Sequence, residues 1–475
     1  MIRTILLPSA TSPLVSIRVY FGVGSVCDPR GKEGLAALTA AMLGRGGSRS
    51  RRYAEVLAAL YPMAARIDTQ ADKEAVVFSG TVHRDNLEPY ADLLADQIVQ
   101  PRFADEDLER NRRDALDHIT RRLRGNDDET LGKEAFGALL YRGHPYGHPC
   151  AGTEAGLAAI TLSDVKAFHV GRFTQDRLIL GLAGGYPDDV PARLLERFTA
   201  LPPRGLPLPV LPPPPARRSA EVLLVEKDAP ATAISLGHPL RITRAHPDFY
   251  PLTVARSYLG EHRTFNGVLL QKMRGLRGLN YGDYAYIESF IQDGASTFPL
   301  PNLPRTQQHF EIWIRPVRPA SALFALRLAL REIEVLRTDG IPGPDFEETR
   351  RFLLHYSRLW TQDDSRRLGH AIDGLVHGVD IVSELARRLP TMTKGDVDRA
   401  VREHLSTSHW AAALVTSQAA ALRRLLLQGA PAPITYDTGS MPPEVLEEDR
   451  RIESFPLPVS EAATTVLPVA SLFAS

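Results

Sequence analysis

Side chains that could bind a metal ion occur in two short stretches of this sequence. His144, His148 and Cys150 combine suitable ligand types within seven residues, and His370 and His377 lie about two helical turns apart. The prolines inside the first stretch disfavour a regular helix there, and two histidines alone do not complete a metal site. The sequence therefore favours structural roles for both stretches, with a metal site at the first as the weaker alternative.

The charge balance argues against a nucleic-acid or anionic-membrane partner. Lys plus Arg and Asp plus Glu number 56 each, so the formal net charge is zero, whereas such partners usually require a basic excess. The densest basic cluster is Arg45, Arg49, Arg51 and Arg52. It lies among glycines and serines, which favours a solvated loop over a binding patch.

The cellular location is predicted from what the sequence lacks. Cys27 and Cys150 are the only cysteines, so no disulfide framework is implied and a reducing compartment fits. No apolar run reaches the roughly 18 residues that a membrane span needs. The first eight residues indicate a strand rather than a signal peptide. We therefore expect a cytoplasmic protein.

A Pro-rich stretch divides the chain into two halves. Residues 201–219 are dense in proline, which gives a stiff, extended backbone without a hydrogen-bonded ladder. We expect a domain at 1–200, a linker at 201–219, a second domain at 220–427 and a C-terminal arm at 428–475. The arm is expected to pack on the second domain.

The two halves repeat one coarse order of elements, namely a strand, a turn, a helix, a second strand and two helices. These are residues 14–21, 33–43, 74–82, 86–98 and 104–124 in the first half, and residues 231–237, 247–259, 309–315, 319–338 and 344–360 in the second, with a turn near Pro239. A repeated mixture of strands and helices predicts two α+β domains that arose by duplication.

Several segments resemble the pitrilysin/insulinase family of zinc peptidases. Residues 31–36 are similar to the approach to the family's zinc helix, residues 144–153 to its His-Pro-Tyr-Gly segment, and residues 160–169 to the helix that follows. Residues 433–436 and 448–452 are similar to its C-terminal extension. The resemblance implies two homologous α/β-sandwich domains, each with an antiparallel-rich sheet and helices on one face, that form half of a LuxS/metallopeptidase-like clamshell.

The resemblance also locates a zinc motif that this chain has lost. The family's His-x-x-Glu-His places two imidazoles one helical turn apart on one zinc ion, with the Glu as general base. Here the two imidazole positions are Ala37 and Ala41, the base position is Ala40, and the position of the third ligand is His118. Alanine neither binds metal nor moves a proton, so the resemblance implies no metal and no catalytic residue on this chain alone.

The same resemblance implies that the family's substrate-binding pair of residues is present in this chain. Arg274 and Tyr281 match an arginine and a tyrosine that hydrogen-bond the substrate carbonyl and stabilise the oxyanion at the opposite domain's zinc site. Arg277 is a competing candidate whose spacing to Tyr281 fits less well. The alternative is a surface turn with a buried tyrosine.

The lost zinc motif and the retained pair together imply a function. We expect a non-catalytic, substrate-gripping subunit of a heterodimeric zinc metallopeptidase, with zinc in a homologous partner and peptides or precursor polypeptides as substrates cut inside an enclosed chamber. The first alternative is a catalytically dead scaffold in a larger assembly. The second is a hydrolase with a different metal site, for which no credible ligand set is present.

Overall fold

The first half of the chain forms one mixed sheet surrounded by helices. A computed structural model describes residues 2–292, 294–436 and 441–475. The strands of the first half are β1 (Arg3–Pro8), β2 (Leu14–Phe21), β3 (Asp68–Ala71), β4 (Val76–His83) and β5 (Leu178–Gly184); its helices are α1 (Leu35–Arg45), α2 (Tyr53–Leu60), α3 (Leu87–Val99), α4 (Asp105–Asp117), α5 (Asp128–Leu140), α6 (Glu154–Ala159), α7 (Leu162–Arg172) and α8 (Val190–Phe198).

The second half contains a six-stranded sheet and the longer helices. Its strands are β6 (Glu221–Glu226), β7 (Thr232–Leu240), β8 (Asp283–Tyr286), β9 (Gln308–Val317), β10 (Ala411–Thr416) and β11 (Thr464–Pro468); its helices are α9 (Phe249–Gly260), α10 (Val268–Leu270), α11 (Ala322–Thr338), α12 (Gly343–Leu359), α13 (Asp364–His377), α14 (Ile381–Arg388), α15 (Lys394–His404), α16 (Ala419–Gln428) and α17 (Pro443–Glu453). Helices α4 and α10 each continue as a π-helical segment, His118–Asn126 and Gln271–Gly275.

The two sheets share one topology, which confirms the predicted pair of homologous α+β domains. The first sheet has the order β1-β5-β2-β4-β3, and the second has the order β11-β6-β10-β7-β9-β8. Strands β1–β5 are equivalent to β6–β10. Within each set of five, the first and last strands in chain order pair in parallel, as β1 with β5 and β6 with β10, and the other pairs are antiparallel. The second sheet differs only by the added edge strand β11.

The predicted turn near Pro239 is wrong, because this proline lies inside β7. Pro239 is paired with His309 of β9, whereas β10 pairs with β7 only as far as Gly237. On the β10 side Pro239 is therefore at a sheet edge, where a missing backbone N–H breaks no ladder hydrogen bond.

Each sheet is also covered by a helix from the other half of the chain. Helix α5 of the first half packs across β10 and β7, and helix α13 of the second half packs across β5 and β2. Leu368 and Ile372 of α13 form an apolar cluster with Tyr20, Val77 and Ile179 of the first sheet. Helices of the same half cover one face of each sheet, as expected. The other face is covered by a helix from the opposite half, and we call α5 and α13 the exchanged helices.

The C-terminal arm contacts both halves rather than the second alone. Helix α17 packs on α11, and β11 pairs in parallel with β6. Beyond β11, the carbonyl of Leu472 accepts a hydrogen bond from Arg124 Nε at 2.7 Å, and that of Phe473 accepts one from the Glu154 amide at 3.0 Å. The arm therefore packs on the second domain as expected, and it contacts the first half as well.

The Pro-rich stretch 201–219 has no helix or strand. It lies against the first half, where Arg172 Nη1 donates to the carbonyls of Leu206 at 3.1 Å and Pro207 at 2.7 Å. In the described parts of the chain, no helix combines the length and the apolar character required to cross a membrane.

Candidate functional site

A cavity of about 540 Å³ lies where the sequence places the lost zinc motif. Ala37 and Ala41 on one side of α1 and His118 at the end of α4 line it together. Ala40 belongs to the hydrophobic core of the first half and does not line the cavity. The structure thus brings together the two imidazole positions and the third-ligand position.

Helix α1 is held in place by a buried carboxylate. Asp28 accepts hydrogen bonds from the amides of Gly34 at 2.8 Å and Ala36 at 2.7 Å, which satisfies free donors of the first turn. His148 Nε2 lies 3.2 Å from the same carboxylate. Burial raises the pKa of Asp28, and the His148 hydrogen bond opposes that rise.

The residues around this cavity do not fit a zinc ion. Ala37 and Ala41 present methyl groups, and the remaining acidic groups are engaged, with Asp114 3.7 Å from Arg45 and Asp117 3.4 Å from Arg121. Among the described residues that line the cavity, His118 is the only one with an imidazole. A tetrahedral zinc site needs three or four nitrogen, sulfur or carboxylate ligands that converge on one point.

His118 is held towards its neutral form. Burial is the main cause of its lowered pKa, and the nearby Arg122 guanidinium adds to it. His118 and Arg122 also line a second cavity between the two halves, so they lie where the two cavities adjoin.

One group with metal-like spacing occurs among the described residues, and it lies in the second half. Ligand atoms of Asp248, Glu403 and His404 lie within 4.8 Å of one another. Arg399 already occupies this group, donating to both oxygens of Asp248 at 2.5 and 3.1 Å. The arrangement is an ion-pair network that joins α15 to the start of α9.

The histidines and the cysteine of residues 144–150 have partners within the protein. His144 Nε2 lies 2.9 Å from the carbonyl of Pro212, and its Nδ1 accepts from the Tyr146 amide at 3.0 Å. Cys150 Sγ lies 3.5 Å from Asp72 Oδ1. His370 stacks on Trp360, and burial lowers its pKa to about 4. These contacts give the residues structural roles.

Arg274 and Tyr281 contact each other at the surface of the second half. Arg274 lies in the π-helical segment after α10, and its guanidinium carbon is 4.3 Å from the centre of the Tyr281 ring. Between them, Gly278 has φ +60°, which lets the backbone reverse so that the two side chains meet. Tyr281 is 64% exposed, so the alternative of a buried tyrosine is wrong.

Arg274 differs from the cations around it because it has no carboxylate partner among the described residues. Three neighbouring cations are ion-paired: Lys272 with Glu332 and Glu448, Arg277 with Glu448 and Asp449, and Arg315 with Glu129. The Arg277 side chain is fully buried against the C-terminal arm. Arg277 is therefore committed to the fold, and Arg274 is the arginine available to a ligand.

Sequence spacing did not reveal three side chains that surround the pair. The Phe265 ring lies 5.4 Å from the Arg274 guanidinium, and the Arg315 guanidinium lies 5.6 Å from the Tyr281 ring. Arg315 is in turn 2.9 Å from Glu129, which belongs to the first half. These contacts come from distant segments, so no local motif could have indicated them.

A hydrogen bond within the turn supports the position of Tyr281. Asn280 Nδ2 donates to Asp283 Oδ1 at 2.7 Å, at the start of β8. Burial raises the pKa of Asp283 to about 8, so its carboxyl is largely protonated at neutral pH. Neither Arg274 nor Tyr281 lines the cavity at Ala37 and Ala41, so the chain carries two separate candidate sites.

Comparisons with protein families match most of the chain. Residues 3–154 match the insulinase model of peptidase family M16, and residues 159–353 match the model of the peptidase M16 inactive domain. An uncharacterized zinc protease of Mycobacterium bovis is 26% identical over 406 residues, which covers 84% of this chain and 87% of that relative. One from Bacillus subtilis is 23% identical over 296 residues, or 62% of this chain and 70% of the relative.

Solved structures share the fold at low sequence identity. A peptidase M16 inactive domain from Pseudomonas fluorescens is 22% identical with a TM-score of 0.75, covering 87% of this chain and 94% of that one. A protease from Helicobacter pylori is 16% identical with a TM-score of 0.71, covering 87% and 96%. A chain of Complex III2 from Candida albicans is 12% identical with a TM-score of 0.68, covering 87% and 94%.

Proposed function

Because the chain belongs to the insulinase (M16) peptidase family, we propose that it is the zinc-less, substrate-binding subunit of a two-chain zinc peptidase. Ala37, Ala41 and His118, which the resemblance assigns to the three zinc ligands, line one cavity, and this supports the proposal. The zinc, its water and the general base would come from a homologous partner. The substrate would be a peptide or precursor polypeptide, and the complex is proposed to work in the cytoplasm.

The observation that carries the proposal is the unpaired state of Arg274. The three nearby cations named above are each neutralised by a carboxylate, whereas Arg274 stacks on the rings of Tyr281 and Phe265. A planar guanidinium stacked on an aromatic ring keeps its N–H donors free in the plane. Such a group is prepared to bind a carbonyl or an oxyanion.

The pair would act on the substrate rather than on the metal. The Arg274 guanidinium and the Tyr281 hydroxyl would donate hydrogen bonds to the backbone carbonyl of the bond to be cut. Fixed donors of this kind hold the substrate and stabilise the negative charge that develops on its oxygen. Removing one such donor commonly lowers the rate by about 10²–10³.

The test measures cleavage of a mixed peptide pool by this chain, by a homologue with an intact His-x-x-Glu-His, and by both together. The proposal predicts cleavage by the mixture and negligible cleavage by this chain alone. Stable complex formation without cleavage in any mixture would instead support the scaffold alternative. Cleavage by this chain in the absence of any partner would refute the assignment of the lost zinc motif.

A further inference from the structure

A second cavity, of about 340 Å³, lies between the two halves of the chain. Helix α5 of the first half forms one wall, and β9 with residues 289–292 of the second half forms another. Ile291 and Gln292 at its rim are exposed, so the cavity opens to solvent. Its volume is within the range that accommodates small molecules.

Lys133 of α5 extends into this cavity without a polar partner. Its Nζ lies 3.6 Å from the centre of the Trp313 ring, 5.0 Å from that of Tyr286 and 5.8 Å from that of Phe290. Among the described residues it makes no hydrogen bond and no ion pair within 4 Å. The side chain is only partly buried, so solvent in the open cavity can accept hydrogen bonds from the ammonium group.

Burial of the Lys133 amine among these rings makes its charged form less stable relative to the neutral amine. It lowers the pKa of Lys133 to about 8, although the carboxylates of Glu311 and Glu129 oppose the shift. The ring contacts also favour the ammonium, because each cation–π contact contributes about 0.5–2 kcal/mol. At pH 7 about a tenth of the Lys133 amine is therefore uncharged.

The Trp313 ring beside this amine is itself buried and held in place. The Trp313 side chain is 3% exposed, and its Nε1–H has no acceptor in the described structure. Trp313 is held in place by His262, whose ring stacks on it at 5.9 Å with an interplanar angle of 15°. The Trp313 ring is thus fixed against the Lys133 amine.

We propose that Lys133 is a nucleophilic amine that forms an imine with small aldehydes entering this cavity. The Nζ lone pair attacks the carbonyl carbon, and the charge develops on the carbonyl oxygen. A proton moves from nitrogen to oxygen to give a carbinolamine. The hydroxyl then leaves as water after protonation by solvent, and loss of the remaining N–H proton completes the C=N bond. No oxidant or reductant is needed.

The walls define the class of aldehyde that fits. Trp313, Phe290, Tyr141 and Tyr146 line the cavity together with charged side chains such as Asp72, Glu134 and Arg305, and the aromatic surface favours an aldehyde that carries a flat ring. A desolvated lysine in such surroundings is a recognised form of activated nucleophile. This site is independent of the proposed peptidase role, because it uses neither Arg274 nor Tyr281.

The test treats the intact wild-type chain with benzaldehyde and cyanoborohydride and measures benzylation of each lysine by peptide mass spectrometry. Lys166, which is exposed on α7, serves as the internal control. At pH 7 about a tenth of a group with pKa near 8 is uncharged, against less than about a thousandth of an ordinary lysine. We expect initial labelling of Lys133 at least about tenfold faster than of Lys166.

The pH dependence provides the second criterion. Labelling of Lys133 should level off above about pH 9, whereas labelling of Lys166 should still rise at that pH. Glu311→Gln removes the carboxylate that most favours the ammonium, so it should move the Lys133 profile to lower pH. Labelling of Lys133 no faster than Lys166, or parallel profiles for the two, would overturn the proposal. Lys133→Arg should abolish the selective adduct.

Discussion

At the scale of single residues, the difference between Arg274 and Arg277 decides which arginine can serve a ligand. The two lie three positions apart, yet Arg277 is fully buried between Glu448 and Asp449, and Arg274 is stacked on exposed rings. Sequence spacing favoured Arg274, but only the structure explains why Arg277 is excluded. The C-terminal arm that supplies its carboxylates lies about 170 residues away along the chain.

This contrast predicts opposite effects on stability. Arg277→Ala leaves two carboxylates facing an emptied site, and breaking a buried pair typically costs about 3–5 kcal/mol. Arg274→Ala removes only a surface stacking contact and should cost less than about 1 kcal/mol. Chemical denaturation of both variants measures the free energy of unfolding. Equal losses for the two would contradict the assignment of Arg277 as structural and Arg274 as free.

At the scale of elements, the turn from the π-helical segment to β8 positions the candidate pair. Asp283 begins β8 and anchors the turn through Asn280, and its carboxyl is buried with a pKa raised to about 8. Because the folded pKa exceeds the unfolded value of about 3.9, the native state binds more protons than the unfolded state between about pH 4 and 8. The contribution is complete below this window and is lost as pH rises through it.

Asp283→Asn therefore tests the protonated state of this carboxyl. Asparagine stays neutral and can still accept from Asn280, so the variant should lose less stability than wild type between pH 5.5 and pH 8. The measurement is the urea midpoint of both proteins at several pH values, and their difference isolates this one group from the buried histidines. An unchanged difference across the window would show that Asp283 is not protonated in the native state.

The sequence predicted individual strands and helices better than it predicted which segments contact one another. The alternation of residues 14–21 defined β2 to the residue, and the alignment of Ala37, Ala41 and His118 placed three positions that line one cavity. Pro239 was assigned to a turn because its tolerance in β7 depends on where β10 stops pairing. Lys133 gave no signal, because its aromatic neighbours come from the other half of the chain.

At the scale of the whole molecule, the exchanged helices α5 and α13 join the two halves into one structure. Each covers a face of the opposite sheet, and the residues after β11 add a further connection to the first half. A duplicated fold could unfold as two units, but here each sheet loses the covering of one face if the other half unfolds. We therefore expect cooperative unfolding of the described structure.

Helix α13 offers a matched pair of variants for this expectation. Leu368→Ala removes a fully buried side chain that contacts the first sheet and should cost about 2–5 kcal/mol. Leu375→Ala, on the same helix but 40% exposed, should cost much less. All three tryptophans lie in the second half, so fluorescence reports that half and circular dichroism reports both. Separate transitions by the two probes would contradict a single cooperative unit.

The most direct measurement of the central claim is kcat/KM for peptide cleavage by the two-chain complex with Arg274→Ala in this subunit. The matched control is Arg358→Ala, which removes an exposed arginine from α12. If Arg274 holds the substrate and its developing charge, kcat/KM should fall about 10²-fold or more while the control remains at the wild-type value. If both variants match wild type while the complex stays intact, the pair does not bind substrate and the subunit is a scaffold.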